Sequence, residues 1–233
     1  MDIIDLSAVQ GTTENFEEFV RQLCNRLGVE YGSYATMNPV TGTVQGYATY
    51  RPEWKQHYMQ NRLHHVDPTI HKSVLSIAPV DWSRFERDAK FHAVFRQAHD
   101  YGIAAQGITV PIRGPYGDRG ILSVTATMAD ADWRRLSRQI MGELQQAAVH
   151  LHDAVMRSSL LIPPLAHPIL SAREREVLQW IAAGKSQIDV GDILGISSRT
   201  VEVHLRSARE KLGALTTVQA VGRAIGLGII YPR

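Results

Sequence analysis

Little in this 233-residue chain announces chemistry. It has one cysteine, Cys24, so no intrachain disulfide and no CxxC metal or redox pair can form. A lone thiol fits a reducing compartment. Net charge is only +2, from 25 Lys+Arg against 23 Asp+Glu, and that average gives no reason to expect nucleic acid. No apolar run approaches the ~18 residues of a membrane helix; the stretch AVGRAIGLGII is broken by Arg223 and by glycine. The start, MDIIDLSAVQ, has two acids and no basic n-region, so no secretory signal is expected. There is no G-x-S-x-G, Walker or dinucleotide fingerprint. His64-His65 and His150/His152 lack the separations or cysteine partners of a zinc site. The expectation is a cytoplasmic protein without metal, cofactor, membrane span or catalytic centre. Cys24, beside Leu23 and Leu27 on one helix face, reads as a buried structural thiol.

What is present is organisation. Residues 158–170 read SSLLIPPLAHPIL, with Pro163, Pro164 and Pro168 close together, a composition that ends helices and favours an extended linker. The expected parts are a front domain over 1–157, a linker over 158–167 and a C-terminal domain over 168–233. Charge divides unevenly between them. From 168 onward nine Lys/Arg face six Asp/Glu, leaving +3, while sixteen against seventeen leave −1 in front. The basic excess belongs to the small C-terminal piece.

The front domain mixes two periodicities. Phe16, Phe19, Val20, Leu23 and Leu27 make one helical face. YGSYATMN and GTVQGYATY read as strands joined at Asn38, Pro39 and Gly42. Helices are expected around 52–62, 68–77 and 88–101, the last stopped by Gly102. AQGITVPIRG and RGILSVTATM flank a GPYGD turn as strands, and a long helix over 130–158 carries Trp133, Leu136, Ile140, Leu144, Ala148, Leu151 and Val155 on one stripe. Strands in the middle and helices at both ends imply an α/β/α sandwich.

Behind the linker, all is helix and turn. Ser171 with Glu174, and Ser186 with Asp189, have capping-box spacing; Gly184, Gly195 and Gly213 supply stops. Four short helices with tight turns are a helix-turn-helix arrangement, so the chain as a whole is expected to be α+β. On the third helix, Val201, Leu205, Ala208 and Leu212 face inward at 100° per residue. Outward lie Arg199, Glu202, Val203, Arg206 and Glu210. An arginine there suits guanine O6 and N7, a glutamate cytosine N4, and a valine the thymine methyl. Ser197, Ser198 and Thr200 sit where phosphates meet free helix N–H groups. The alternative is a solvated helix on which Glu202 and Arg206 form an i, i+4 pair; a pair and a base contact are also compatible.

LSAREREVLQWIAAGKS…ILGISSRTVEVHLRSAREKLGA resembles the DNA-binding domain of LuxR-type transcription factors, with family positions at Glu174, Leu178, Gly184, Lys185, Ile196, Thr200, Val201, His204, Lys211 and Leu212. Gly191 departs from the alanine usual there, at up to ~1 kcal/mol of helix propensity. In front, YRPEWKQHYMQNRLHHVDPTIHKSVLSIAPVDW resembles the acyl-homoserine-lactone-binding domain of quorum-sensing regulators, matching at Trp54, Tyr58, Asp67, Pro68, Trp82 and Gly107. The front part shows no acidic pair or phospho-acceptor aspartate of a receiver domain.

The resemblance implies a pocket in which the Trp54 indole binds the lactone carbonyl, Asp67 the amide and the Tyr58 hydroxyl the acyl carbonyl. Ser123 would be a further small polar group, Trp82 an aromatic wall, and Tyr50 and Thr69 additional lining. These types suit a ligand with one N–H donor and two carbonyl acceptors, since each left unpaired in a buried site costs ~1–3 kcal/mol. Each residue also has a plainer role: Asp67-Pro68 as N-cap and first helical residue, Trp54 and Tyr58 as a core stripe, Gly107 as a bulge or close-packing glycine. On the DNA side the resemblance points to Arg206 and position 202; the helix geometry adds Arg199, Val203, Ser198 and Thr200, and Lys185, a family position, is expected to join them. It implies a homodimer on a pseudo-palindromic double-stranded site, acting with RNA polymerase. Two other readings remain open here: a DNA-binding regulator sensing a different small molecule or a protein partner, and a lactone or amide hydrolase.

Overall fold

A computed structural model describes residues 13–37, 44–114, 118–158 and 169–231. The expected linker after Ser158, the turn at Asn38, Pro39 and Gly42, and the centre of the GPYGD turn lie outside the described residues. The chain forms two compact units, one drawn mainly from residues up to 163 and the other mainly from 164–233.

The first unit runs α1 (Thr13–Leu27), β1 (Tyr31–Met37), β2 (Val44–Ala48), α2 (Pro52–Gln60), α3 (Pro68–Val74), β3 (Val80–Asp81), α4 (Ala89–Asp100), β4 (Gly107–Arg113), β5 (Arg119–Thr125) and α5 (Asp130–Ser158). Its sheet is antiparallel in the order β2-β1-β5-β4-β3. Because side chains alternate along a strand, each strand supplies two faces. Tyr34, Ile108, Val110, Leu122 and Val124 pack with Phe16, Val20 and Leu23 of α1 and Leu144, Ala148 and Leu151 of α5. On the opposite face Ser33 pairs in register with Ser123, and Ser123 with Thr109, so three hydroxyl residues cross three strands in a row. Cys24 is buried in the α1 layer, where burial pushes its thiol up to about 11. It is an inert packing residue.

The helix expected over 68–77 ends at Val74. Arg113, from β4, donates through Nη2 to the carbonyls of Val74 at 2.6 Å and Ser76 at 2.5 Å, satisfying the open helix end from a distance in sequence. Similarly α2 stops at Gln60, and a short 3-10 turn over Leu63–His65 follows Arg62, which lies at φ 50.

The second unit contains α6 (Ala172–Ala182), α7 (Gln187–Leu194), α8 (Ser198–Lys211) and α9 (Thr217–Gly226). Both capping boxes are formed, and Gly195 closes α7 at φ 65. Val177, Leu178, Val190, Val201, Leu205, Ala208, Ala220 and Ala224 are fully enclosed and make its core. Glu174 does more than cap α6. It accepts from Ser207 Oγ at 2.7 Å and pairs with Lys211 at 2.8 Å, tying α6 to α8. Burial opposes its ionisation, but the Lys211 and Ser207 hydrogen bonds, the Ser171 N–H and the Lys211 charge outweigh it and hold the carboxyl down at about 2.

Gly191 also has a role that its helix propensity hides. An added Cβ would stand 2.7 Å from the Ile196 carbonyl oxygen, so this is where α7 approaches the backbone of the turn. Among the described residues no helix is long and apolar enough to cross a membrane, and no cluster of His, Cys, Asp and Glu is placed to hold a metal.

Candidate functional site

Between the sheet and α2, α3 and α4 of the first unit lies a cavity of about 580 Å³, within the ordinary range for small-ligand pockets. Tyr50, Trp54, Tyr58, Asp67, Thr69, Trp82 and Ser123 all line it. The structure thus brings together every residue expected of the ligand site. Trp54 and Tyr58, one turn apart on α2, meet edge to face at 5.6 Å between ring centres. Among the described residues nothing accepts from the Trp54 indole N–H, although the side chain is only 4% exposed. A directional donor on the cavity wall is thereby left unpaired.

Asp67 divides its two oxygens. Oδ1 accepts from the Thr69 N–H at 2.8 Å as the N-cap of α3, and Oδ2 accepts from the Tyr58 hydroxyl at 2.7 Å. The cap and the cavity role therefore coexist. Burial raises the Asp67 carboxyl above its ordinary value, against the lowering effect of the Thr69 and Tyr58 hydrogen bonds. Burial likewise raises Tyr58, reinforced by the adjacent Asp67 charge. Tyr50 is raised by burial too, with its ring 5.3 Å from Tyr31.

Trp82 is fixed by a residue the sequence did not single out. Its indole donates to Thr109 Oγ1 at 2.9 Å, and Thr109 Oγ1 lies 2.8 Å from Ser123 Oγ. A threonine inside a strand carries no local mark of this; only the register places it opposite Ser123. Gly107 proves to be a close-packing glycine, since an added Cβ would fall 2.4 Å from Trp82 Cε3. At the rim, Lys55 bridges Glu17 of α1 at 3.4 Å and the Ala48 carbonyl at 3.2 Å.

In the second unit α8 presents Arg199, Val203 and Arg206 outward, with Val203 47% exposed, and Ser198 and Lys185 are exposed as well. Among the described residues neither Arg199 nor Arg206 makes a side-chain hydrogen bond or close ion pair, although the Arg206 charge adds to the lowering of Glu202. Thr200 is partly committed: its hydroxyl lies 2.8 Å from Ser197 Oγ in the N-cap. The Glu202–Arg206 pair that the spacing allows is not formed. Glu202 Oε1 accepts instead from Arg209 at 2.9 Å and Oε2 from Gln187 at 2.8 Å. The Arg209 hydrogen bond, ahead of an opposing desolvation and a further bond from Gln187, keeps its carboxyl below the usual range.

Comparison with known proteins gives two family matches. The autoinducer binding domain matches residues 12–155, and the domain of bacterial regulatory proteins of the luxR family matches 168–224. The chain is 36% identical over 170 residues to the transcriptional activator protein RaiR of Rhizobium etli, covering 72% of this chain and 70% of that one. It is 30% identical over 240 residues to the transcriptional activator protein VanR of Vibrio anguillarum, with 94% and 92% covered. A crystal structure of Escherichia coli SdiA matches with a TM-score of 0.76 at 23% identity, over 95% of this chain and 93% of that one. At that identity the likeness concerns the fold.

Proposed function

Because the chain belongs to the LuxR family of bacterial regulatory proteins and carries an autoinducer-binding domain, we propose that it is a cytoplasmic quorum-sensing transcription factor rather than an enzyme. In this reading residues 1–157 bind an N-acyl-homoserine lactone, 158–167 link, and 168–233 read operator DNA. Two copies would place two α8 helices on a pseudo-palindromic site and act on RNA polymerase.

The observation that carries the ligand assignment is the convergence of Trp54, Tyr58, Asp67 and Ser123 on one cavity with the aromatic wall of Trp82. Trp54 supplies a free donor for the lactone carbonyl. Asp67 Oδ2 has a second lone pair for the amide N–H. Tyr58 has one proton, already given to Asp67, so it reaches the acyl carbonyl only by leaving Oδ2. We take the ligand amide to replace it there: one hydrogen bond to Asp67 is exchanged for another, and the released hydroxyl is handed to the ligand. Ser123, hydrogen-bonded to Thr109 behind it, borders the same space. For DNA, Arg199, Val203 and Arg206 face outward for bases, and Ser198, Thr200 and Lys185 lie where phosphates would pass.

Mass spectrometry of the small molecule retained by the full chain from its native source tests the ligand. An acyl-homoserine lactone is expected. A different retained molecule would move the site to another sensor class, and turnover of added lactone would make it a hydrolase.

A further inference from the structure

Glu202 stands at a position where a base-reading side chain is expected, yet its carboxylate is turned to its neighbours. Oε2 accepts from Gln187, the first residue of α7, and Oε1 from Arg209, two turns further along α8. Arg209 in turn donates through Nη1 to Thr217 Oγ1, in the first turn of α9, at 3.0 Å. Gln187, Glu202, Arg209 and Thr217 therefore form a continuous chain of hydrogen bonds across three helices. The helical wheel agrees with this. Relative to the mean direction of Val201, Leu205 and Ala208, Glu202 and Arg209 lie on one flank, about 90° and 70° round, whereas Arg206 and Arg199 lie about 130° to 150° round. The Glu202 and Arg209 side chains are 44% and 23% exposed, so the pair is partly shielded from solvent. Turning the Glu202 carboxylate out toward a cytosine amino group would strain the bonds it already makes, one of them charge-assisted.

Resting on the DNA-binding reading above, we propose that Glu202 is a positioning residue: with Gln187, Arg209 and Thr217 it brackets the recognition helix between α7 and α9 and leaves base discrimination to Arg199, Val203 and Arg206. Such a residue changes how well every sequence binds and leaves the preferred sequence unchanged. A base reader does the reverse at one base pair.

The test uses the full chain and a duplex library with a randomised central segment. Glu202→Ala and Arg209→Ala should each enrich the same sequence as the parent and weaken binding to all duplexes by a similar factor, about three- to tenfold, with the double variant little worse than either single one. Glu202→Gln, which keeps an acceptor for Arg209, should recover part of the loss. Loss of preference at one base pair in Glu202→Ala but not in Arg209→Ala would overturn the proposal. Denaturant unfolding without DNA separates this from failure of the DNA reading. If the parent enriches nothing, the DNA reading fails, while non-additive effects of the two substitutions on unfolding still support the bracket, and strictly additive ones overturn it.

Discussion

Tyr58 donates its single hydroxyl proton to Asp67 Oδ2 at 2.7 Å across the wall of the front cavity. The Tyr58 proton is therefore already committed without a ligand, and in the proposed reading the hydroxyl reaches a ligand carbonyl only by giving up this bond. Asp67→Asn replaces one acceptor by a donor and removes the charge. Because a lost buried hydrogen bond costs ~1–3 kcal/mol, the lactone concentration for half-maximal reporter response should rise roughly ten- to hundredfold. Tyr58→Phe should weaken the response less, since Asp67 Oδ2 stays available to the amide. An unchanged dose response in Asp67→Asn would remove this residue from the site.

The Trp82 wall depends on a glycine. With an added Cβ only 2.4 Å from Trp82 Cε3, Gly107→Ala forces the indole off the strand and away from Thr109. Overpacking of this kind costs ~1–3 kcal/mol. Lower thermal stability and a weaker lactone response are expected together, and Trp82→Phe in the Gly107→Ala background should restore part of the stability. Wild-type stability in Gly107→Ala would show that the contact yields freely.

Acid should loosen the second unit through Glu174. Its folded-state value of about 2 lies below the ordinary 4.5, so the unfolded chain takes up this proton first as pH falls. The contribution of the carboxylate is then fully present above about pH 4.5 and is lost as pH drops toward 2. Glu174→Gln should cost ~1–3 kcal/mol at pH 7, with the gap to the parent narrowing at pH 3. Urea unfolding at the two pH values measures it; an equal gap at both would assign the loss to packing.

Local signals were legible in the sequence and long-range ones were not. The stripe from Trp133 to Val155 marked α5, and Ser171 with Glu174 and Ser186 with Asp189 marked two helix starts, because the groups that cap a helix lie within its own first turn. The overlong estimate of α3 has the opposite cause: its end is satisfied by Arg113, some forty residues away. Thr109 was invisible until the β4–β5 register placed it opposite Ser123. Spacing alone made Arg206 the natural partner of Glu202, and only the packing of α7 against α8 brought Gln187 near enough to help turn it toward Arg209.

On α8, Arg206 is exposed and makes no side-chain hydrogen bond or close ion pair among the described residues; in the proposed reading its guanidinium meets a guanine edge. Arg206→Ala should cost ~1–3 kcal/mol on the selected operator and relax one base position. An equal loss on every duplex would make it a phosphate contact. Binding by the parent chain should also fall steeply as salt rises by ~0.1–0.2 M; salt-insensitive binding would contradict an electrostatic footprint.

At Gly191 two effects oppose each other. Alanine would gain up to ~1 kcal/mol of helix propensity over glycine. Its Cβ, however, would stand 2.7 Å from the Ile196 carbonyl oxygen and 3.4 Å from the Ser198 nitrogen. The first atom is backbone in the tight turn leading to α8, and the Gly191 carbonyl itself accepts from the Ile196 N–H at 3.0 Å, so the turn cannot open without weakening that bond. Gly191→Ala is therefore expected to bring no gain in unfolding free energy. Gly191→Val, which adds two more methyl groups to the same contact, should lose ~1–3 kcal/mol and weaken binding to all DNA sequences alike, because the turn sets the angle of the recognition helix. A clear stabilisation by alanine would mean that the two helices separate at little cost, and the close approach at Gly191 would not be what fixes them.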